Sequence, residues 1–362
     1  MLTITADQPD ASRLVQQMAQ LCAAHGAHWH PELQVEVCKG SLRWLAPPGT
    51  SGELINMPTE LLVPIAGARW AESTEELQLL EPPPRASAVQ EELLQLHIAL
   101  YNATGKLRWW SQQHPARLVE ASAAIADVVA PLKPVNRREP KERSAADGFL
   151  ATRSFGWKPN PDQGDRVPML MPLIDLLNHH HRGAPFRMSG GAMRIQAAQA
   201  GSSECFAHYG HRRDVLDLAL HYGYCDHSTP FAHSAPLEIA VDGVGHIRVE
   251  HQGQRAPVHP FDPPRVTLEA DGLRISHLCC HLEHPERVST MLSLALQGSL
   301  KRRGHTEQVA AMLAQQGLQA VAAANISLLE QLRHATEASQ HSGAAILAAA
   351  AQRQAAIISA VI

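Results

Sequence analysis

Three groups of residues could do chemistry. The segment PLIDLLNHHHRGAPF, residues 172–186, runs from aliphatic residues into Asn178 and three consecutive histidines, His179, His180 and His181. Imidazoles bind metal ions, but neighbours on a loop rarely converge on one ion, whereas an asparagine amide both donates and accepts. The segment GSSECFAHYGHRRDVLDLALHYGYCD, residues 201–226, holds two Tyr-Gly pairs, Tyr209-Gly210 and Tyr222-Gly223, flanking a helix-like DVLDLALH. Glycine lets the backbone turn sharply, so each phenol can point into a cleft. The third group, HLCCHLEH at 277–284, gathers His277, Cys279, Cys280, His281 and His284. Its spacing matches no established zinc pattern, and the alternative is a strand end with buried thiols.

The chain is long enough to build a scaffold around these groups. Its 362 residues, 45% of them hydrophobic, suit two domains of roughly 150 residues or more. A net charge of -4 gives no global pull toward nucleic acid or an anionic membrane. The N-terminus MLTITADQPD lacks the basic and apolar regions of a secretory signal. No apolar run approaches the roughly 20 residues that span a bilayer. Six cysteines without a CxxC pair suit reduced thiols in a cytosolic, cytoplasmic protein. The 22 histidines are scattered over the chain, as ordinary surface and core residues would be.

Periodicity supplies the elements. Leu14, Met18, Leu21 and Cys22 mark one face of a short helix, and residues 33–58 read as strands joined by turns at PPGTSG. Beyond the rigid break EPPPRAS comes a helix over 89–101. Another runs through ARLVEASAAIADVVAPL, after the Trp109-Trp110 pair, which reads as core anchors. The polar run NRREPKERSAAD reads as a solvated connection. In VPMLMPLIDLL, Pro168 and Pro172 favour a short buried strand over a helix. Residues 236–282 alternate as strands do. Pro285 then opens a helix with the stripe Val288, Met291, Leu292, Ala295 and Leu296, followed by helices over 306–316, 318–340 and 343–361.

Taken in order, the first two segments resemble SET-domain protein methyltransferases, in particular the subgroup typified by Rubisco large-subunit lysine methyltransferase and actin-histidine methyltransferase. There a stretch like P-x-x-D-L-L-N-H precedes one like Y-G-x-x-(S/D)-x-x-E-L-L-L-x-Y-G-F, and the matching positions here are Pro172 to His179 and Tyr209 to Tyr224. Weaker likenesses keep the family order. KGSLRWLAPPGTSGELINMP looks like the opening strand pair with its cofactor loop, TRSF like the Arg-x-Phe element, and the helical C-terminus like the appended substrate-binding domain. The fold class implied is α+β. A SET-domain β-fold with a pseudoknot would occupy 1–235, with a helical insertion at about 59–148. A mainly helical substrate-binding-like domain would occupy 236–362, with strands over 236–282 and helices over 285–361.

The resemblance further implies S-adenosylmethionine as cofactor, a protein or peptide substrate, and methyl transfer to a lysine side chain. Histidine is the alternative acceptor, and a SET-like protein-binding module without turnover is the alternative class. Gly40, Ser41, Arg153, Asn178, His179 and Tyr209 would meet the cofactor; Tyr209 and Tyr222 would be catalytic; Asp175, Tyr222 and Tyr224 would lie on the substrate side. No metal, nucleic acid or membrane is implied. The pattern departs at three points. The usual Gly-x-Gly is Gly40-Ser41-Leu42, the usual Ser-Asn-Ala-Glu is Asp214-Val215-Leu216-Asp217, and Tyr224 stands for a common phenylalanine.

Overall fold

The computed structural model describes residues 2–133, 144–158, 165–198, 202–210, 213–250 and 261–362. Mixed α and β elements pack as two compact units, Met1–Gln112 with Lys141–Gly210, and Gln113–Pro140 with His211–Ile362. Each unit has its own apolar core. Residues 213–235 thus pack with the C-terminal strands and helices.

In the first unit a five-stranded sheet runs in the order Thr3–Ala6, Gln34–Cys38, Ser41–Leu45, Glu204–His208, Asn178–Pro185. Alternation builds its middle: Val35, Val37, Leu42 and Trp44 point inward while Glu36 and Arg43 pair across the outer face. Lys39 and Gly40, with φ of 49° and 75°, close the hairpin between Cys38 and Ser41. Positive φ at both turn residues matches the right-handed twist of the strands. A Cβ on Gly40 would lie 2.8 Å from the Thr104 carbonyl oxygen. Three smaller sheets accompany it: Arg187–Ser189, Ala192–Gln196, Glu53–Pro58, His28–Trp29; Val63–Pro64, Val167–Leu170, Ser154–Trp157; and the pair Arg69–Trp70, Leu79–Glu81.

Helices Pro9–Ala24 and Ala88–Ala103 pack against each other. The second starts at a capping box formed by Ser87 and Gln90 and buries Leu93, Leu94, His97, Ile98, Leu100 and Tyr101. Trp110, on the following helix Lys106–Gln113, is buried as a core anchor. Helix in the stretch expected as an insertion begins only at Ala88; residues 59–81 form a single 3-10 turn and short strands. The polar connection, residues 136–147, lies largely outside the described residues. Its last part, Ser144 to Asp147, starts the helix Ala145–Ala151, with Ser144 as its cap.

In the second unit the expected helix over 116–132 is broken. Ser122 ends Pro115–Ala121 and caps Ala123–Leu132 by accepting from the Ile125 amide. A four-stranded sheet, in the order Leu237–Val241, Gly245–Val249, Gly272–Ile275, Val266–Glu269, buries Ile247, Val249, Leu273 and Ile275. These join Val288, Leu292 and Leu296 of the helix Pro285–Arg302. The expected break at 317 does not occur, and Glu307–Glu337 is one helix of 31 residues. Gly317 lies inside it because a Cβ there would come within 2.8 Å of Ile247 Cδ1. Helix is kept across the glycine by packing, which outweighs local propensity. The last helix, Ser342–Val361, is 20 residues long and apolar enough, by length and composition alone, to cross a bilayer, contrary to the expectation that no run comes near that length. It buries Leu347, Ala351, Ile357 and Ile358 in the core of this unit, together with the polar Gln354.

Candidate functional site

The turn that precedes Asn178 is unusual. Leu173, fully buried, takes φ 61° and ψ −30°, a conformation that L side chains rarely adopt. A short 3-10 turn, Ile174–Leu176, follows and delivers the strand Asn178–Pro185. That strand bends about its neighbour, since Ala207 is the register partner of both His179 and Ala184. The bend needs Gly183, where a Cβ would lie 2.6 Å from the Ala207 carbonyl carbon and 2.9 Å from the His180 oxygen.

The wrap brings Asn178, His179 and Tyr209 together, all half-buried. The Tyr209 amide donates to His179 Nδ1 at 3.0 Å, which puts any proton of the neutral imidazole on Nε2. The Tyr209 phenol donates to the Leu177 carbonyl at 2.5 Å. Its ring lies 5.2 Å from that of His179 and stacks at 6.4 Å on Phe186. Asn178 Nδ2 donates to Glu204 Oε1 at 2.7 Å, which fixes the orientation of the amide. Arg43 stands 3.8 Å from the same carboxylate. His180 and His181 diverge: one accepts from the Arg182 amide and meets Phe206, and the other meets His208.

Gly40 sits at the hairpin tip, with Ser41 exposed beside it. Leu42, where the family has its second glycine, points inward and is 5% exposed. The departure is absorbed by the core. A cleft of about 500 Å³ lies beyond Glu204, its only charged lining residue among those described, and neither Asn178 nor Tyr209 lines it.

Asp175, expected on the substrate side, is buried, and its carboxylate accepts from the Tyr101 phenol. The other carboxylate oxygen lies 3.7 Å from His97 Nε2, and neither atom has a hydrogen-bond partner among the described residues. His97 Nδ1 meets the Leu93 carbonyl at 2.9 Å and, since a carbonyl only accepts, carries a proton. Burial, then the Asp175 charge, holds the Tyr101 phenol well above its ordinary range. Nearby, burial and the Arg153 charge lower the Lys106 amine to about 7, against the pull of Asp175. Arg153 lays its guanidinium over Phe149 at 5.6 Å, and its buried Nε has no hydrogen-bond partner among the described residues.

Tyr222 and Tyr224 belong to the second unit. Helix Val215–Tyr222 starts at a capping box of Asp214 and Asp217 and ends at Gly223, φ 81°. The two acids at the second departure therefore have structural work. Fully buried Asp214 also takes Lys133 Nζ at 2.8 Å and Gln354 Nε2 at 3.1 Å. Tyr222 carries Arg213 over its ring at 5.4 Å, and Tyr224 follows half-buried. In HLCCHLEH, Cys279 and Cys280 lie in a buried strand, and burial pushes both thiols up, Cys280 to about 12. His277 is occupied by Ser276 Oγ and the Asp262 carbonyl, each at 3.0 Å.

His97, Tyr101 and Glu204 were not found by sequence reasoning. His97 and Tyr101 do show a signal, four residues apart on the apolar face of a helix. Their partner is distant, with 74 residues separating Tyr101 from Asp175.

No protein-family model and no curated protein matches the chain. Among solved structures the fold is similar to the SET domain of LSMT bound to lysine and AdoHcy, at 12% identity and TM-score 0.43, covering 98% of this chain and 91% of that one. It is similar also to Rubisco LSMT bound to sinefungin and monomethyllysine, at 13% identity and TM-score 0.44, covering 96% and 90%.

Proposed function

We propose that this chain is a SET-type methyltransferase that uses S-adenosylmethionine to methylate a protein lysine, acting in the cytoplasm. One observation carries the reading: the Asn178-His179 pair and Tyr209, 30 residues apart, lie in direct contact, with the Tyr209 amide on His179 Nδ1. The residues present suit the cofactor. Arg153 has a buried donor, Nε, without a hydrogen-bond partner among the described residues, and a permanent charge to set against a carboxylate. Asn178 keeps its amide oxygen and one N–H beyond its bond to Glu204.

When bound, S-adenosylmethionine supplies an electrophilic methyl group. Arg153 and Asn178 would hold its amino-acid end, the Asn178-His179 backbone its adenine edge, and the Gly40-Ser41 backbone its near side. Tyr209 has a defined duty. Its proton is committed to the Leu177 carbonyl, so its oxygen can only accept further hydrogen bonds. It would thus orient an acceptor amine through an N–H of that amine. A lysine at its ordinary pKa of about 10.4 is charged at neutral pH and has no lone pair, so the channel must favour the neutral form by excluding water. Asp175 would act only through the turn it anchors.

The test combines binding and turnover. Calorimetry should detect S-adenosylmethionine binding, and a labelled-methyl assay on cell lysate should label discrete proteins. Tyr209→Phe and Asn178→Ala should each reduce labelling by about 100-fold or more. Undiminished labelling with Asn178→Ala would refute the site. Mass spectrometry of the labelled protein then separates lysine from histidine.

A further inference from the structure

The five-residue turn Leu173 to Leu177 is held by three aromatic donors from three different elements. The Leu173 carbonyl accepts from Trp44 Nε1 at 2.7 Å, a bond that closes 129 residues of chain. The Asp175 carboxylate accepts from the Tyr101 phenol, and the Leu177 carbonyl accepts from the Tyr209 phenol. Trp44 and Tyr101 are both almost fully buried, at 0% and 1% exposure. The conformation they hold is strained, with Leu173 at φ 61°. Such backbone persists only where its surroundings over-determine it. The turn's own bonds help, Ile174 N–H to the Pro172 carbonyl at 2.7 Å and Asp175 N–H to the Met171 carbonyl at 3.0 Å.

Hydrogen bonding is directional, so the Leu177 carbonyl fixes where the Tyr209 hydroxyl sits. Whatever moves that carbonyl moves the phenol. We infer that Trp44 and Tyr101 are positioning residues for Tyr209: by pinning the turn at Leu173 and Asp175 they set the Leu177 carbonyl, and through it the phenol oxygen that faces the acceptor. Neither side chain need touch substrate or cofactor. Trp44 lies on the strand that follows the Gly40 hairpin, so the same bond ties the hairpin to the turn. This inference rests on the methyltransferase reading for its catalytic meaning, but its structural content can be read independently.

Trp44→Phe and Tyr101→Phe keep a ring in place and remove only the donor group, or the donor and part of the indole. In the labelled-methyl assay each is expected to lower kcat by about tenfold or more. Combined with Tyr209→Phe, neither should cause much further loss, because the positioned group is already gone. The chain has four tyrosines. Carbon-13 labelling of their ring carbons, with the Tyr209 signal assigned by Tyr209→Phe, gives a readout without activity. The Tyr209 resonance should move in Trp44→Phe and in Tyr101→Phe, and the Tyr222 and Tyr224 resonances should not. An unmoved Tyr209 resonance, or losses that multiply fully with Tyr209→Phe, overturns the inference. If Trp44→Phe does not fold, Tyr101→Phe carries both measurements. Absence of cofactor binding by the wild type would count against the methyltransferase reading instead, leaving the resonance shift to decide the positioning.

Discussion

Two opposing forces act on the Lys106 ammonium. Burial, followed by the Arg153 charge, pulls its pKa from 10.5 to about 7, and Asp175 opposes them. Because an unfolded chain keeps this proton up to 10.5, between about 7 and 10.5 the unfolded state binds more protons than the folded one, and stability rises with pH. Below about 7 both states are protonated, and the whole penalty of burying the charge applies. Lys106→Met is therefore expected to raise Tm most at about pH 6 and progressively less toward about pH 9. Equal gains at both pH values would show that the amine does not titrate in this range. At this scale the sequence was partly legible. Asn178, His179 and Tyr209 stood out because motif order carried them. Trp44, His97, Tyr101 and Lys106 did not, because each draws its meaning from Leu173, Asp175 or Arg153, residues that only the tertiary fold brings near.

Helix Val215–Tyr222 depends on a polar device at its start. Asp214 caps it, pairs with Lys133 across 81 residues, and accepts from Gln354. Burial alone would lower the Lys133 amine, but Asp214 and Asp217 outweigh it and hold the amine above its ordinary value. Removing one partner of such a pair leaves an uncompensated buried charge. Asp214→Ala is expected to cost about 3–5 kcal/mol in urea unfolding. Asp214→Asn should recover about 1 kcal/mol of that, since asparagine caps as well as aspartate does. Identical losses in the two variants would assign the whole effect to the ion pair. The helix itself was readable from DVLDLALH and the glycine after it. Its anchor was not, because Lys133 and Gln354 carry no local mark of the role. Ser122 and Gly317 show the two ways a boundary is misread: a good cap inside an apolar run splits a helix, and a glycine packed against Ile247 does not.

Across the whole molecule, alternation and periodicity gave the strand and helix regions of 236–361, and the family resemblance implied the α+β class. They could not give the grouping of residues 113–140 with 211–362, since neighbours along the chain carry no sign of which core they enter. The wrapped strand has a consequence in time as well as in space. Pairing this strand joins Ala207 to both His179 and Ala184, and such non-local pairing is slow relative to helix formation. Refolding from urea should therefore return far-UV helical signal before the Tyr209 environment. Gly183→Ala, which sets a methyl 2.6 Å from the Ala207 carbonyl carbon, should slow or block the later phase alone. Coincident phases in both probes would contradict this order. On that course the residues that carry the proposed chemistry are among the last the chain acquires, and a molecule arrested partway would show its helices and lack its site.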